Sequence, residues 1–462
     1  MDHRTVKVPD VKSKRFPMRR ESGFTIVEMM VGVLIGLIAI VVMFQVFAVS
    51  EAQKRTTAGA GEAQQNGVTS LYLLEREARI AGYGLGYLPL LGCNTWGYYA
   101  PLAQKFNFRM APVVITNGNG GIDPDTITVL YGSTDTFQMP GAVTWPTSPA
   151  PAKPPGPTVG HVTTGEAPYQ FKNGDLIVLG DAVDSRPPLN PLIPSNCTLF
   201  QVTRQVGQDT TLMYYNDLSF IDDDTGASRS ADFNPPLGVM PAPDNVGYSK
   251  WREDTRTGGR VTNLGQSPVA NTYSVVNNQL IATNILDPSQ PPVIVSDGIV
   301  QLQAQYGYSS NCPSFGWTGA PPISPAPVNA PAGYVPPCSI ASNAPSVPAL
   351  VTTWPPAPNR DMWADSLNPA VTTPNNWRQI IAVRFVVVAR SAEKERVDPV
   401  TGQCTATTAE PRWTGADNRI LNVQNANPAD WMCYRYRTFE GVVPIRNIIW
   451  SPDPAGSSLP PA

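Results

Sequence analysis

The sequence predicts an α+β fold, one long N-terminal helix leading into a head rich in β-sheet. Three observations carry this. An apolar run, broken only by Thr25, Glu28 and Gln45, extends from Phe24 to Val49. From there the chain stays free of proline as far as Pro89, with apolar residues at helical spacing. Past Pro89, short apolar or alternating runs are bounded by Gly, Asp and Pro turns, the pattern of strands. The 462 residues include 49 prolines and only 15% charged side chains, so much of the length is turn or loop. A net charge of −3 leaves no basic footprint for a nucleic-acid partner.

Taken in order, residues 1–23 form a basic leader: Arg4, Lys7, Lys12, Lys14, Arg15, Arg19 and Arg20 stand against Asp2, Asp10 and Glu21. Met18 opens a compact basic leader by itself and is an alternative start. Residues 24–50 follow as a transmembrane helix, Met29–Val49 alone giving roughly 31 Å of α-helix, enough to cross a bilayer. The positive flank keeps the leader cytoplasmic and puts the rest outside. Ala48-Val49-Ser50 also fits a small-residue cleavage site, which would release a soluble periplasmic binding protein beginning after Ser50. Against it, the apolar run exceeds a normal signal core. Glu28 is the anomaly, because a carboxylate inside a bilayer costs about 2.5–3.5 kcal/mol at the centre, less near the interface, and calls for a partner. Gly32 and Gly36 give a GxxxG spacing suited to close helix packing.

Residues 51–82 continue the helix outside the membrane, with Val68, Leu71, Leu74, Ala78 and Ala81 as an apolar stripe and Glu75 with Arg79 as an i,i+4 pair. Gly59, Gly61 and Gly67 mark a place to bend, melt or break it, and Ala81-Gly82-Tyr83-Gly84 a place to stop. Residues 83–462 form the head. Strands are expected at Thr126–Tyr131, Asp175–Leu179, Thr198–Thr203, Thr272–Thr283, Gly298–Tyr308, Gln379–Ala389 and Val442–Trp450. Pro-rich stretches at 140–157 and 313–358 read as surface insertions between strands. The six cysteines contain no CxxC pair and suggest disulfides in an oxidising compartment. Cys312 and Cys338 bracket part of the second Pro-rich stretch, and the preferred set is Cys312–Cys338, Cys404–Cys433 and Cys93–Cys197, other connectivities remaining open.

The segment Gly23-Phe24-Thr25-Ile26-Val27-Glu28, with Met29-Met30-Val31-Gly32-Val33-Leu34 after it, resembles the processing motif of type IV prepilins. The resemblance implies that a prepilin peptidase cuts after Gly23 and methylates the new amino terminus of Phe24, so no leader remains on the mature helix. Glu28 then falls at the family's glutamate position, where it can neutralise the α-ammonium of a neighbouring subunit as helices pack side by side. Leu74–Gly84, Asp125–Tyr131, Asp297–Gly307, Arg384–Ser391 and Val443–Asn447 resemble minor pilins of the PilW type. This implies a low-copy pilus subunit in an initiation complex at the tip. Its partners would be other minor pilins, the major pilin and a PilY-type tip adhesin, and it would sit in the inner membrane before assembly. A J-type pseudopilin of a type II secretion system shares the anchor and a large β-rich head, and is the alternative.

Little points to catalysis or to a cofactor. Only His3 and His161 are present, and no GxSxG, HExxH or Walker A pattern occurs. Asp222-Asp223-Asp224 with Asp232 could offer oxygens to calcium, but the spacing departs from an EF-hand and reads better as an acidic turn.

Overall fold

The computed structural model describes residues 23–85, 90–119, 122–134, 141–144, 161–164, 171–181, 196–206, 211–214, 217–236, 259–308, 362–364, 377, 380–395, 397, 401–416, 418–426 and 429–449. A single helix, α1 (Ile26–Ile80), opens the chain. The chain divides into two units, Met1–Thr57 and Ala58–Ala462. In the first, apolar residues from Phe24 to Val49 point outward all round the helix, which is long and apolar enough to cross a membrane. An all-apolar surface of this kind is stable only in lipid or against other helices.

In the second unit the rest of α1 is half-buried. Leu74, Ala78 and Ala81 lie in the core as their spacing predicts, but Val68 is 48% exposed, and Ala63, Gly67 and Ser70 take up the buried face instead. The helix does not break at its glycines. A Cβ on Gly67 would come within 1.9 Å of the Phe439 ring, and one on Gly59 within 3.0 Å of the Ser391 side chain. These two glycines therefore admit the head to the helix backbone rather than bending it.

The head begins with β1 (Asn94–Tyr99), β2 (Gln104–Arg109), β3 (Val113–Thr116) and β4 (Thr126–Tyr131). There follow β5 (Gly141–Thr144), β6 (His161–Thr164), β7 (Leu176–Asp181), β8 (Asn196–Gln201), β9 (Arg204–Val206) and β10 (Thr211–Tyr214). The hairpin β11 (Ser219–Ile221) and β12 (Ser228–Ser230) precedes β13 (Gly259–Gly265). Then come β14 (Val269–Val276), β15 (Gln279–Asn284), β16 (Val293–Asp297), β17 (Ile299–Tyr308), β18 (Met362–Ala364) and β19 (Ile380–Arg390). The short β20 (Arg412–Trp413) and β21 (Arg419–Ile420), then β22 (Tyr436–Pro444) and the one-turn α2 (Arg446–Ile449), end the described fold.

Three large sheets and two two-stranded ones, β11-β12 and β20-β21, organise these strands. Nine strands follow the order β2-β1-β8-β7-β13-β5-β6-β10-β9, five follow β16-β15-β14-β4-β3, and four follow β18-β17-β19-β22. The main core gathers α1, the five-stranded sheet and one face of the four-stranded sheet. A second core lies under the nine-stranded sheet, and a third, around Trp413, covers the other face of β17 and β19.

Two expected strands differ from the observed ones. Thr272–Thr283 is a hairpin, because Asn277 and Asn278 both adopt positive φ (51° and 62°) and turn β14 into β15. The final strand runs Tyr436–Pro444, not Val442–Trp450: Pro444 ends its ladder and Arg446–Ile449 coils into α2.

Candidate functional site

At the start of α1, Gly23, Phe24 and Thr25 lie outside the helix. Thr25 caps it: its Oγ1 accepts the Glu28 N–H at 3.2 Å and its carbonyl accepts the Met29 N–H at 3.1 Å. This is the position at which a threonine satisfies an orphan helix donor. Glu28 thus sits in the first turn, where the helix dipole favours a carboxylate. Gly32 and Gly36 are one turn apart with nothing within 4 Å of where a side chain would begin, so they leave a shallow notch on one face.

The other end of α1 is clasped to the head by residues that the sequence reading did not single out. Glu77 falls within the apolar stripe and is 3% exposed. Its carboxylate accepts the Tyr131 hydroxyl of β4 at 3.1 Å and pairs with the Arg76 guanidinium at 2.8 Å. Burial, reinforced by the Glu77 charge, pushes the Tyr131 hydroxyl up to about 12, and the same two causes raise Tyr273 of β14 well above its ordinary value. Gly82, at φ +81°, then turns the chain out of the helix, and its N–H reaches the Leu130 carbonyl at 2.9 Å. Asn447 of α2 closes the end, donating from Nδ2 to the carbonyls of Ile80 (3.1 Å) and Ala81 (3.0 Å).

Asp125 links the two main sheets. Its N–H donates to the Leu302 carbonyl at 2.7 Å, while its carboxylate accepts the N–H groups of Ala304 (2.8 Å) and Gly118 (3.0 Å). On the opposite face of β17 to Leu302, Gln301 and Gln303 are buried and donate to loop carbonyls of Ile122, Asn422 and Asp123 at 2.7–2.9 Å. Gly298, at φ +70°, starts that strand. The polar residues of Asp125–Tyr131, Asp297–Gly307 and Val443–Asn447 thus fasten strands to one another and to the helix.

Disulfides join Cys93 to Cys197 and Cys404 to Cys433. The expected Cys312–Cys338 pair, the 313–358 stretch and the leader before Ser22 with Met18 lie outside the described residues, and of the 140–157 stretch only β5 lies within them. Asp222 accepts the N–H groups of Asp224 and Thr225 and pairs with Arg229, and Asp223 accepts from Asn173, so these acids build the β11–β12 turn. Asp232 accepts the Ser230 hydroxyl at 2.7 Å. Among the described residues no group of three His, Cys, Asp or Glu side chains could hold a metal ion. His161 begins β6.

A membrane-length helix with an unwound, capped entry and a first-turn carboxylate, clasped at its far end to a β-rich head, defines a membrane-anchored pilin. The chain matches the Prokaryotic N-terminal methylation motif over residues 18–44 and the family described as Type IV Pilus-assembly protein W over residues 270–447. These two matches support a PilW-type minor pilin that takes part in assembly of the type IV pilus. The methylation motif carries with it processing by prepilin peptidase. No curated protein and no solved structure matches the chain.

Proposed function

We propose that this subunit acts in the priming complex at the pilus tip, beside other minor pilins, the major pilin and a PilY-type adhesin. The observation behind this reading is the bulk of the head, whose nine-, five- and four-stranded sheets exceed what a densely packed filament wall needs. At the tip nothing stacks above the head, so its size carries no steric cost. Cleavage after Gly23 and methylation of Phe24 place an α-ammonium at the helix entrance. Glu28 of a neighbouring subunit neutralises it, and the Gly32–Gly36 notch lets the helices approach. The chain is a substrate of the peptidase and a structural subunit rather than a catalyst, and its route runs from the inner membrane to the cell surface.

A deletion strain complemented with defined variants tests this. Wild type restores pili, and gold-labelled antibody finds the protein at pilus ends. Glu28→Ala is cleaved yet fails to enter pili. Piliation unchanged by the deletion would overturn the priming role, and Glu51 as the mature N-terminus would overturn the anchor.

A further inference from the structure

Strands β4 and β14 are antiparallel neighbours, Tyr131 opposite Val269, so in the sheet they form the two arms of a hairpin. In the sequence they are separated by everything from Gly132 to Pro268. The two ends of that stretch meet. The Ser133 N–H donates to the Leu264 carbonyl at 2.8 Å, and the Ser267 N–H donates to Ser133 Oγ at 2.9 Å. Gly265, at φ +85°, gives the close approach: a Cβ there would lie 2.5 Å from Ser133 Oγ. A hairpin whose ends are already bonded closes without the intervening chain.

Among the described residues, the core in which Ala63, Leu74, Ala78 and Ala81 of the helix segment are packed contains no residue from 132 to 268. Leu176, Val178, Cys197, Leu199 and Leu264 of the inserted stretch lie instead in the second core, which they share with Leu85, Leu90, Phe108, Met110, Leu130 and Ala270 of the head outside it. Its strands dock on the head through β8 alongside β1 and through the Cys93–Cys197 disulfide. The family match begins at residue 270, immediately after the stretch rejoins β14.

From these observations we infer that Ser133–Ser267 is a separable module. The subunit contacts of pilus assembly are then made by the helix and the head outside it, and the module makes none of them. The inference rests on the assembly role of the chain, not on its place at the tip. In the β11–β12 turn Asp223–Gly226 is exposed, and Gly226 has nothing within 4 Å of a would-be Cβ.

Two variants test it in the deletion strain, with wild-type complementation as the control for the assembly role. The first inserts a short epitope between Thr225 and Gly226, keeping the Asp224 and Thr225 N–H bonds to the Asp222 carboxylate and giving up the Gly226 N–H bond to the Asp222 carbonyl. Pili are expected at the wild-type number, with antibody binding the epitope on intact, unfixed pili. Loss of pili, or an epitope masked in them, overturns the inference. The second replaces residues 132–268 by Asn-Gly, a two-residue hairpin turn, with Cys93→Ser to remove the orphaned thiol. It is expected to be processed and to restore pili. A protein that keeps the protease-resistant head and the Cys404–Cys433 disulfide but restores none overturns it. Because the excision uncovers Leu90, Phe108 and Met110, the epitope variant decides the matter if the excised chain is degraded. Failure of the wild-type control would strike the assembly reading itself.

Discussion

Glu77 shows what a single side chain contributes. A carboxylate at 3% exposure is tolerable because Tyr131 and Arg76 both serve it. Glu77→Ala leaves the Tyr131 hydroxyl without its acceptor, and we expect a loss of about 1–3 kcal/mol, read from chemical unfolding in detergent. Glu77→Gln, which keeps an acceptor, should lose less. The tyrosines add a pH dependence. Their folded values lie above the unfolded value of about 10, so the stability they supply is intact below about pH 10 and is lost as pH rises through about 12 for Tyr131 and Tyr436. Alkaline titration of the folded protein should show this decline, and Tyr131→Phe should flatten it. Asn447→Ala should cost about 1 kcal/mol by freeing the carbonyls of Ile80 and Ala81. The sequence held one trace of the Glu77 site: a charge one turn from Leu74 and Ala81, inside a stripe of apolar residues. Asn447 left none, since its partners lie more than 350 positions away.

At the scale of elements, legibility followed the length of the apolar runs. The helix, β4, β17 and β19 each carry enough consecutive apolar or alternating residues to be read directly. The hairpin at Asn277-Asn278 was hidden because neither turn residue is glycine, although asparagine also tolerates positive φ. Three- and four-residue strands such as β9 and β11 are too short for any periodicity. The glycines of α1 misled for a different reason: Gly67 reads as a weak point along the helix, and only the Phe439 ring opposite it reveals a packing contact. Gly67→Ala should therefore destabilise the head by about 1–3 kcal/mol despite its better helix propensity, and Phe439→Leu should recover part of the loss. If Gly67→Ala instead raises the unfolding midpoint, the contact is unimportant.

For the whole molecule, the N-terminal methylation motif was legible because it is local, a short run of residues recognised by their order alone. The architecture of the head was not, because its sheets join strands from distant parts of the chain: β1 lies beside β8, and β4 beside β14. Covalent links secure such long-range joins. Removing Cys404–Cys433, which closes a separation of 29 residues, should cost roughly 3–4 kcal/mol and loosen the cover over Trp413 without touching the helix core. Limited proteolysis with and without reductant would show cutting between those cysteines first.

The interrupted hairpin also sets a timetable for folding. The chain is synthesised from its N-terminus, so β4 is made long before β14 can pair with it, and Phe439, which packs against Gly67, is made later still. Contacts of such wide sequence separation form slowly. Cys93 and Cys197 both precede Val269, so their bond can close while the hairpin is still half made. Until the strand that carries Phe439 is made, the side of the helix that carries Ala63, Gly67 and Leu74 lacks its full cover, the kind of exposed apolar surface that invites misassembly.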